Sequence, residues 1–414
     1  MKYFHDFAVC LRLLSQRRRT SYSPHHTPHA LDLARMHVVI IGAGIGGLAA
    51  AVALRRVGVK SLIVERADCI REIGAGLSIW SNAVNALREL GVEARVMESA
   101  SVIERESVRT PEGRLLAVTE FGDISRNAGA PCICVHRAVL QQILLEELPP
   151  DLVRTGARCV GFNDSTAILE DGERIEADVL VGADGISSVI REGLHGAEPP
   201  RYAGYTCWRG ICRDNGVLPN RTPLMAAGAG SQFALLPCGA AQLFWFFTKN
   251  APQGVTQTKA DLLALCGDWA APVPDVIKAT PEGAIVQNDI VDRLPLRWWG
   301  RGPVTLLGDA AHATTPNLGQ GACTALEDAV VLAHCLRTVR PAESALREYE
   351  RLRIPRTGAI VRDSWRAGRI LQLDQPALEL VRDWFIGSWP GRHSGMRMFR
   401  NLLTYKVPKL HPSA

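Results

Sequence analysis

Residues 36–66, MHVVIIGAGIGGLAAAVALRRVGVKSLIVER, decide the fold. His37 to Ile41 is a short, nearly all-apolar run of the kind that becomes a buried parallel strand. Gly42, Gly44 and Gly47 follow it as G-x-G-x-x-G, so a helix must start there, with a body predicted over Leu48 to Val57. The first glycine allows a tight turn and the second lets backbone approach a pyrophosphate. The third lets the helix lie close to the strand, with its N-terminal N–H groups aimed at the phosphates. Gly58 closes the helix and Ser61 to Val64 reads as a second strand. Glu65 lies 18 positions after Gly47, where an acid that binds a ribose belongs. Framed in this way, a common glycine pattern becomes a specific signal for a dinucleotide.

Two further stretches repeat the theme of a strand that ends in glycine. Asp178 to Val181 is apolar after its first residue and leads into GADGISSVIRE, where Asp184, Ser188 and Arg191 stand at a strand end and on the next helix. Val304 to Leu307 leads into GDAAHATTPNLGQGAC, which brings Asp309, His312, Pro316, Asn317 and Gly319 to Cys323 ahead of a helix from Ala322. Carboxylates and small residues at the C-terminal ends of strands are where ligands bind in open α/β sheets.

The rest of the chain frames these signals. Residues 71–91 carry Gly74 and Gly76, then Ala83, Leu87 and Leu90 at helical spacing. The stretch to Pro131 alternates like strands, and His136-Arg137 opens a helix running to about Leu148. Ala167 to Leu169 and Arg174-Ile175 flank Asp171-Gly172, the mark of a hairpin. From Arg201 to about Pro281 short apolar runs read as an antiparallel sheet, one face of which can wall a pocket. Most of the aromatic cluster Phe244 to Phe247 is expected in the core. After Pro341 the pattern predicts helices over Glu343 to Arg353, Ile360 to Leu373 and Pro376 to Phe385, followed by a basic, poorly patterned end.

Composition sets the bounds. A chain of 414 residues with 47% hydrophobic residues can hold two or three domains. No apolar run reaches the roughly 18 residues of a membrane span. Residues 1–35 carry four of the five net positive charges, so the body is nearly neutral and shows no nucleic-acid footprint. That segment reads as an organelle-targeting leader or, in the preferred reading, as a disordered tail of the kind an upstream start codon adds when Met36 is the real start. Eleven cysteines, odd in number and without a C-x-x-C pair, point to reduced thiols in a cytoplasmic protein, and nothing suggests a metal.

Three glycine-marked strand ends are more apparatus than a transient cofactor requires, and a permanently held dinucleotide explains them better. From about Met36 to Leu371 the chain resembles the single-component, group A flavoprotein monooxygenases, among them salicylate, 3-hydroxybenzoate and urate hydroxylases and zeaxanthin epoxidase. The resemblance implies an α/β fold. A Rossmann-like FAD-binding domain (36–200 and 285–340) would be interleaved with a mainly antiparallel β-sheet substrate domain (201–284), ahead of a C-terminal helical segment (341–414). It also implies that Gly42, Gly44 and Gly47 face the FAD pyrophosphate and that Glu65 with Arg66 holds the adenosine ribose. Ser78 and Arg137 would touch FAD, and the backbone of Cys159 would meet the adenine. Asp184 would serve both FAD and NAD(P)H, and Asp309 would bond the ribityl chain. Gly319, Gly321, Ala322 and Cys323 would lie at the flavin ring edge.

The implied activity is hydroxylation or epoxidation of a small, electron-rich substrate through a flavin C4a-hydroperoxide, with non-covalent FAD, NADH or NADPH as co-substrate, and O₂. The alternative is a flavin oxidoreductase of the same fold that inserts no oxygen. The enzyme would be a monomer or homodimer. Trp208, Arg209, Gln232, Phe233, Leu235, Phe244, Pro316 and Asn317 are the substrate candidates; Arg209 and His312 are the catalytic candidates, although a structural hydrogen bond suits His312 better. Where urate hydroxylases place a substrate-binding Arg, a Tyr and an acid, this chain aligns Gln232, Phe244 and Asn317.

Overall fold

The computed structural model describes residues 33, 35–70 and 75–410. The tail or leader reading, apart from Leu33 and Arg35, and the close approach expected at Gly74 lie outside these residues. His37–Ile41 is the middle strand of a five-stranded sheet in the order Val304–Leu306, Val179–Gly182, His37–Ile41, Lys60–Val64, Val153–Arg154. Every pairing in it is parallel. Its three central strands are apolar and buried because helices cover both faces. The helix α1 (Ile45–Arg56) starts directly after Gly44. Its Ala49, Ala50, Ala51 and Ala53 are small enough to let it lie flat on the sheet and on a later helix.

A second, seven-stranded sheet runs Val286–Asp292, Arg201–Arg213, Gln242–Asn250, Ser231–Pro237, Leu224–Gly228, Arg105–Arg109, Leu115–Glu120. All its pairings are antiparallel except the one between Leu224–Gly228 and Arg105–Arg109. Two of its strands therefore come from the stretch before Pro131, and a third from beyond residue 284. Smaller three-stranded sheets unite Gly76–Ile79, Cys132–His136 and Ser101–Ile103, and the expected hairpin with Cys159–Asn163.

Among the helices that follow are α2 (Ser81–Leu90), α3 (Gly321–Thr338), α4 (Ala342–Leu371), α5 (Pro376–Gly387) and α6 (Trp389–Leu403). One expectation is corrected here. The helices expected over 343–353 and 360–373 are one continuous helix that carries Pro355 in its interior. Proline removes one helical hydrogen bond, and on either side of it Arg353 and Arg356 bind Glu327 of α3. The basic end of the C-terminal segment is helical, as the resemblance implies, with Phe399, Leu402 and Leu403 turned inward at helical spacing.

Candidate functional site

The register of the parallel sheet assembles the site. Ile41 stands beside Val64 on one side and Gly182 on the other, and Gly182 stands beside Leu306. The turns that begin at Gly42, Glu65, Ala183 and Leu307 therefore leave the sheet along one edge. Gly42 has φ +106°, and a Cβ there would meet Ala183 O at 2.5 Å. A Cβ on Gly47 would meet Gly42 O at 2.0 Å, so this glycine is required by the close approach of helix to turn. At Gly44 a Cβ would meet nothing within 4 Å. That open space above the N-terminus of α1 is the room a pyrophosphate needs.

Each acid of the three motifs is at this edge. Glu65 Oε2 accepts from Ala43 N at 2.8 Å and Oε1 from Ala67 N at 2.9 Å, leaving lone pairs on both oxygens for ribose hydroxyls. Arg66 beside it is exposed. Asp184 Oδ2 accepts from Val189 N at 2.8 Å, while its Oδ1 is buried without a partner in the protein. Burial raises the Asp184 carboxyl above its ordinary range despite the donors around it. An orphaned carboxylate oxygen at this edge suits a hydroxyl-bearing ligand. Asp309 follows Gly308 at the start of a one-turn helix and is exposed. Cys159 lies at the head of the neighbouring small sheet, its Sγ donating to Gly161 O.

The far end of the site is built on Trp80. A Cβ on Gly319 would meet Trp80 Nε1 at 2.6 Å, and Trp80 N donates to Cys323 Sγ at 3.5 Å. Cys323 Sγ also approaches Ser78 O at 3.7 Å, and burial pushes its thiol up to about 12. Gly321 and Ala322 open α3, so the loop from Pro316 ends in a helix N-terminus. Arg137 opens the helix Arg137–Glu146, one turn before Gln141, whose Nε2 donates to Ala43 O.

The substrate candidates separate by the two-residue period of the strands. Trp208, Phe233 and Leu235 were expected in the pocket and are not there. They point to the opposite face of the sheet, into a core with Trp245, Phe247 and the helices Lys259–Cys266 and Val273–Ala279. Arg209, Gln232, Phe244 and Phe246 lie on the site-side face. Phe244 packs against Gly76, and Arg209 Nη2 donates to Asn288 Oδ1 at 2.7 Å at the edge of the sheet. Asn317 Oδ1 accepts from Tyr205 OH at 2.8 Å, and Pro316 beside it is exposed. Tyr205, which the sequence reading passed over, is buried and its phenol is held neutral by that burial.

His312 is not placed to exchange a proton with substrate. It is 3% exposed, its Nε2 lies 2.6 Å from Asp328 Oδ2, and its ring packs on Trp299. Asp328 accepts also from Gly308 N and from Arg353 Nε, while Glu327 accepts from Arg353, Arg356 and Asn82. Asn82 also donates to Gln320 Oε1 at 3.0 Å. Burial works against ionising Glu327 and Asp328, but the arginines, with His312 beside Asp328, hold both carboxyls below their ordinary range. This network fixes the loop from Gly308 to Gly321. Sequence reading missed it because the pair Glu327-Asp328 sits in a regular helix and its arginine partners are 25 or more residues away.

The comparisons with known proteins agree with this geometry. Residues 35–205 and 287–364 match the FAD binding domain family. The chain is 40% identical to the aurachin C monooxygenase/isomerase of Stigmatella aurantiaca, covering 88% of this chain and 97% of that one. It is 34% identical to the FAD-dependent urate hydroxylase of Klebsiella pneumoniae over 79% and 88% of the two chains. It is 31% identical to the chloroplastic zeaxanthin epoxidase of an Oncidium hybrid cultivar over 96% and 65%. The crystal structure of Klebsiella pneumoniae HpxO complexed with FAD and uric acid superposes with a TM-score of 0.83, at 31% identity over 90% and 96%. These relatives favour oxygen insertion over a reductase of the same fold. The chain belongs to the FAD binding domain family and is an FAD-dependent monooxygenase of the group A type, a hydroxylase or epoxidase.

Proposed function

We propose that the enzyme uses NAD(P)H and O₂ to oxygenate an electron-rich aromatic molecule that is neutral, and that the urate monoanion is not its substrate. The chemistry supplied by bound FAD is hydride acceptance from NAD(P)H and activation of O₂ for transfer to such a substrate. Gly44 at the N-terminus of α1 would face the pyrophosphate, in a turn that Gly42 and Gly47 make possible, while Glu65 would hold the adenosine ribose and Asp309 the ribityl chain. The N-terminus of α3 would favour negative charge on a flavin ring bound beside it. Phe244, Phe246 and Tyr205 on the seven-stranded sheet exclude water from the substrate side.

The observation that carries the substrate class is the charge of the site-side face. Its Arg209 is turned to Asn288, and Gln232, Phe244 and Asn317 stand where the resemblance places an Arg, a Tyr and an acid in urate hydroxylases. A buried anion without a cationic partner is costly. The relative at 40% identity is named for aurachin C, not urate. The test is the ratio of oxygenated product to NAD(P)H consumed, with hydrogen peroxide measured alongside, across phenolic acids, purines and neutral heteroaromatics. Urate should stimulate NAD(P)H oxidation weakly, with most oxygen leaving as peroxide. Tight coupling on urate at a kcat/KM of about 10⁴ M⁻¹s⁻¹ or more would overturn the reading.

A further inference from the structure

The helix α5 is inside out. Leu380, Val381, Trp384 and Phe385 lie on consecutive turns of one face and are exposed, Leu380 by 70% and Trp384 by 71%. The one buried residue of the helix is Arg382, 4% exposed. Its guanidinium donates to Ala227 O at 3.3 Å and Gly228 O at 3.0 Å, at the end of a strand of the seven-stranded sheet. An amphipathic helix on a globular domain ordinarily buries its apolar stripe and exposes its charges. Here the polar side is bound to the protein and the apolar side is offered outward.

The next helix extends the same surface with positive charge. It begins one residue later, and Trp389, Arg392, His393, Arg397 and Arg400 share its outer face, all exposed. Residues 389–410 hold five Arg and Lys and no acid. A basic face set beside exposed Trp, Phe, Leu and Val is the combination that lies in a membrane interface. The indoles and aliphatics enter the headgroup boundary, and the arginines meet anionic lipid. A second copy of the chain suits this face poorly, because a two-fold contact would press the same arginines together. Among the described residues no helix is long and apolar enough to cross a membrane, so the contact would be in the plane of the surface.

We propose that α5 and α6 dock the enzyme on the surface of an anionic lipid bilayer. Gln375, which caps α5, lines a cavity of about 320 Å³ together with Tyr205, Thr315 and Gly368, so docking brings the bilayer beside the substrate side of the molecule.

The test is sedimentation of the FAD-loaded, full-length enzyme with vesicles of about three parts phosphatidylcholine to one part phosphatidylserine, at about 0.15 M salt. The enzyme should pellet with these vesicles, bind pure phosphatidylcholine much less, and show a blue shift of tryptophan emission when bound. The double variant Leu380→Ser, Trp384→Ser should lose about tenfold or more in vesicle affinity with an unchanged melting temperature, since both side chains are exposed. The triple variant Arg392→Glu, Arg397→Glu, Arg400→Glu should abolish the preference for phosphatidylserine. An enzyme that stays in the supernatant with both vesicles, or one that binds equally well as the double variant, overturns the proposal. So does light scattering that shows a dimer which the double variant converts to a monomer, because the face would then belong to a second copy.

Discussion

Gly44 and Gly47 are three residues apart and should fail in opposite ways when enlarged. A methyl on Gly47 falls 2.0 Å from the Gly42 carbonyl, so Gly47→Ala must move backbone and should destabilise even the cofactor-free protein by about 1–3 kcal/mol. A methyl on Gly44 meets no protein atom within 4 Å and occupies the space left for phosphate. Gly44→Ala should therefore melt like the parent without FAD and bind FAD about tenfold or more weakly. Melting curves of the two apo-proteins beside FAD titrations separate the cases. Asp309→Ala removes a carboxylate expected to bond the ribityl hydroxyls. Loss of a charge-assisted hydrogen bond of about 1.5–3 kcal/mol should weaken FAD on the order of tenfold to a hundredfold. Unchanged affinity would mean that Asp309 points elsewhere in the complex. These residues were legible in the sequence because glycine and acid at a strand end carry meaning at fixed offsets. Trp208, Phe233 and Leu235 were misplaced for an equally physical reason. The strand Ser231–Pro237 is buried along its whole length, so apolar residues occupy both faces and no alternation shows which one meets the substrate.

The strand Arg105–Arg109 brings a carboxyl into the seven-stranded sheet. Glu106 is buried, and that burial raises its pKa from 4.5 to about 7. A raised folded-state value means that its contribution to stability is complete below the unfolded value near 4.5 and is lost as pH rises through about 7. Glu106→Gln should hence match the parent near pH 5 and exceed it by about 1–3 kcal/mol near pH 8, as read from melts at the two values. The charged pair on α3 should behave with the opposite sign. Glu327 and Asp328 are held below their ordinary values of 4.5 and 3.8, so their contribution is complete above that range and fails only as pH falls beneath it. Arg353→Met removes the buried guanidinium that pairs with both carboxylates, leaving Asp328 to His312 and Glu327 to Arg356, and should cost about 3–5 kcal/mol. The continuity of α4 was hidden by Pro355, whose local signal is a helix stop, whereas the ion pairs that tie Arg353 and Arg356 to α3 are contacts no short sequence window contains.

At the scale of the molecule, two sheets and the helices around them close on one ligand at several points. Denaturation should nevertheless release FAD intact, since the proposed attachment is through backbone turns and carboxylates; a flavin that stays with the unfolded chain would show a covalent link. The order of the motifs made this architecture readable, but the membership of the seven-stranded sheet was not, because strands Arg105–Arg109 and Leu115–Glu120 join it from a distant part of the chain. The same register that lines up Ile41, Gly182 and Leu306 has a further consequence for biosynthesis. A ribosome must deliver the chain beyond Asp309 before the last of these turns exists, and pairing so remote in sequence is slow to form. Yellow colour is therefore a certificate of completed folding. Fragments, stalled chains and early refolding species should all be pale, which makes flavin absorbance a direct gauge of the finished fraction in any preparation.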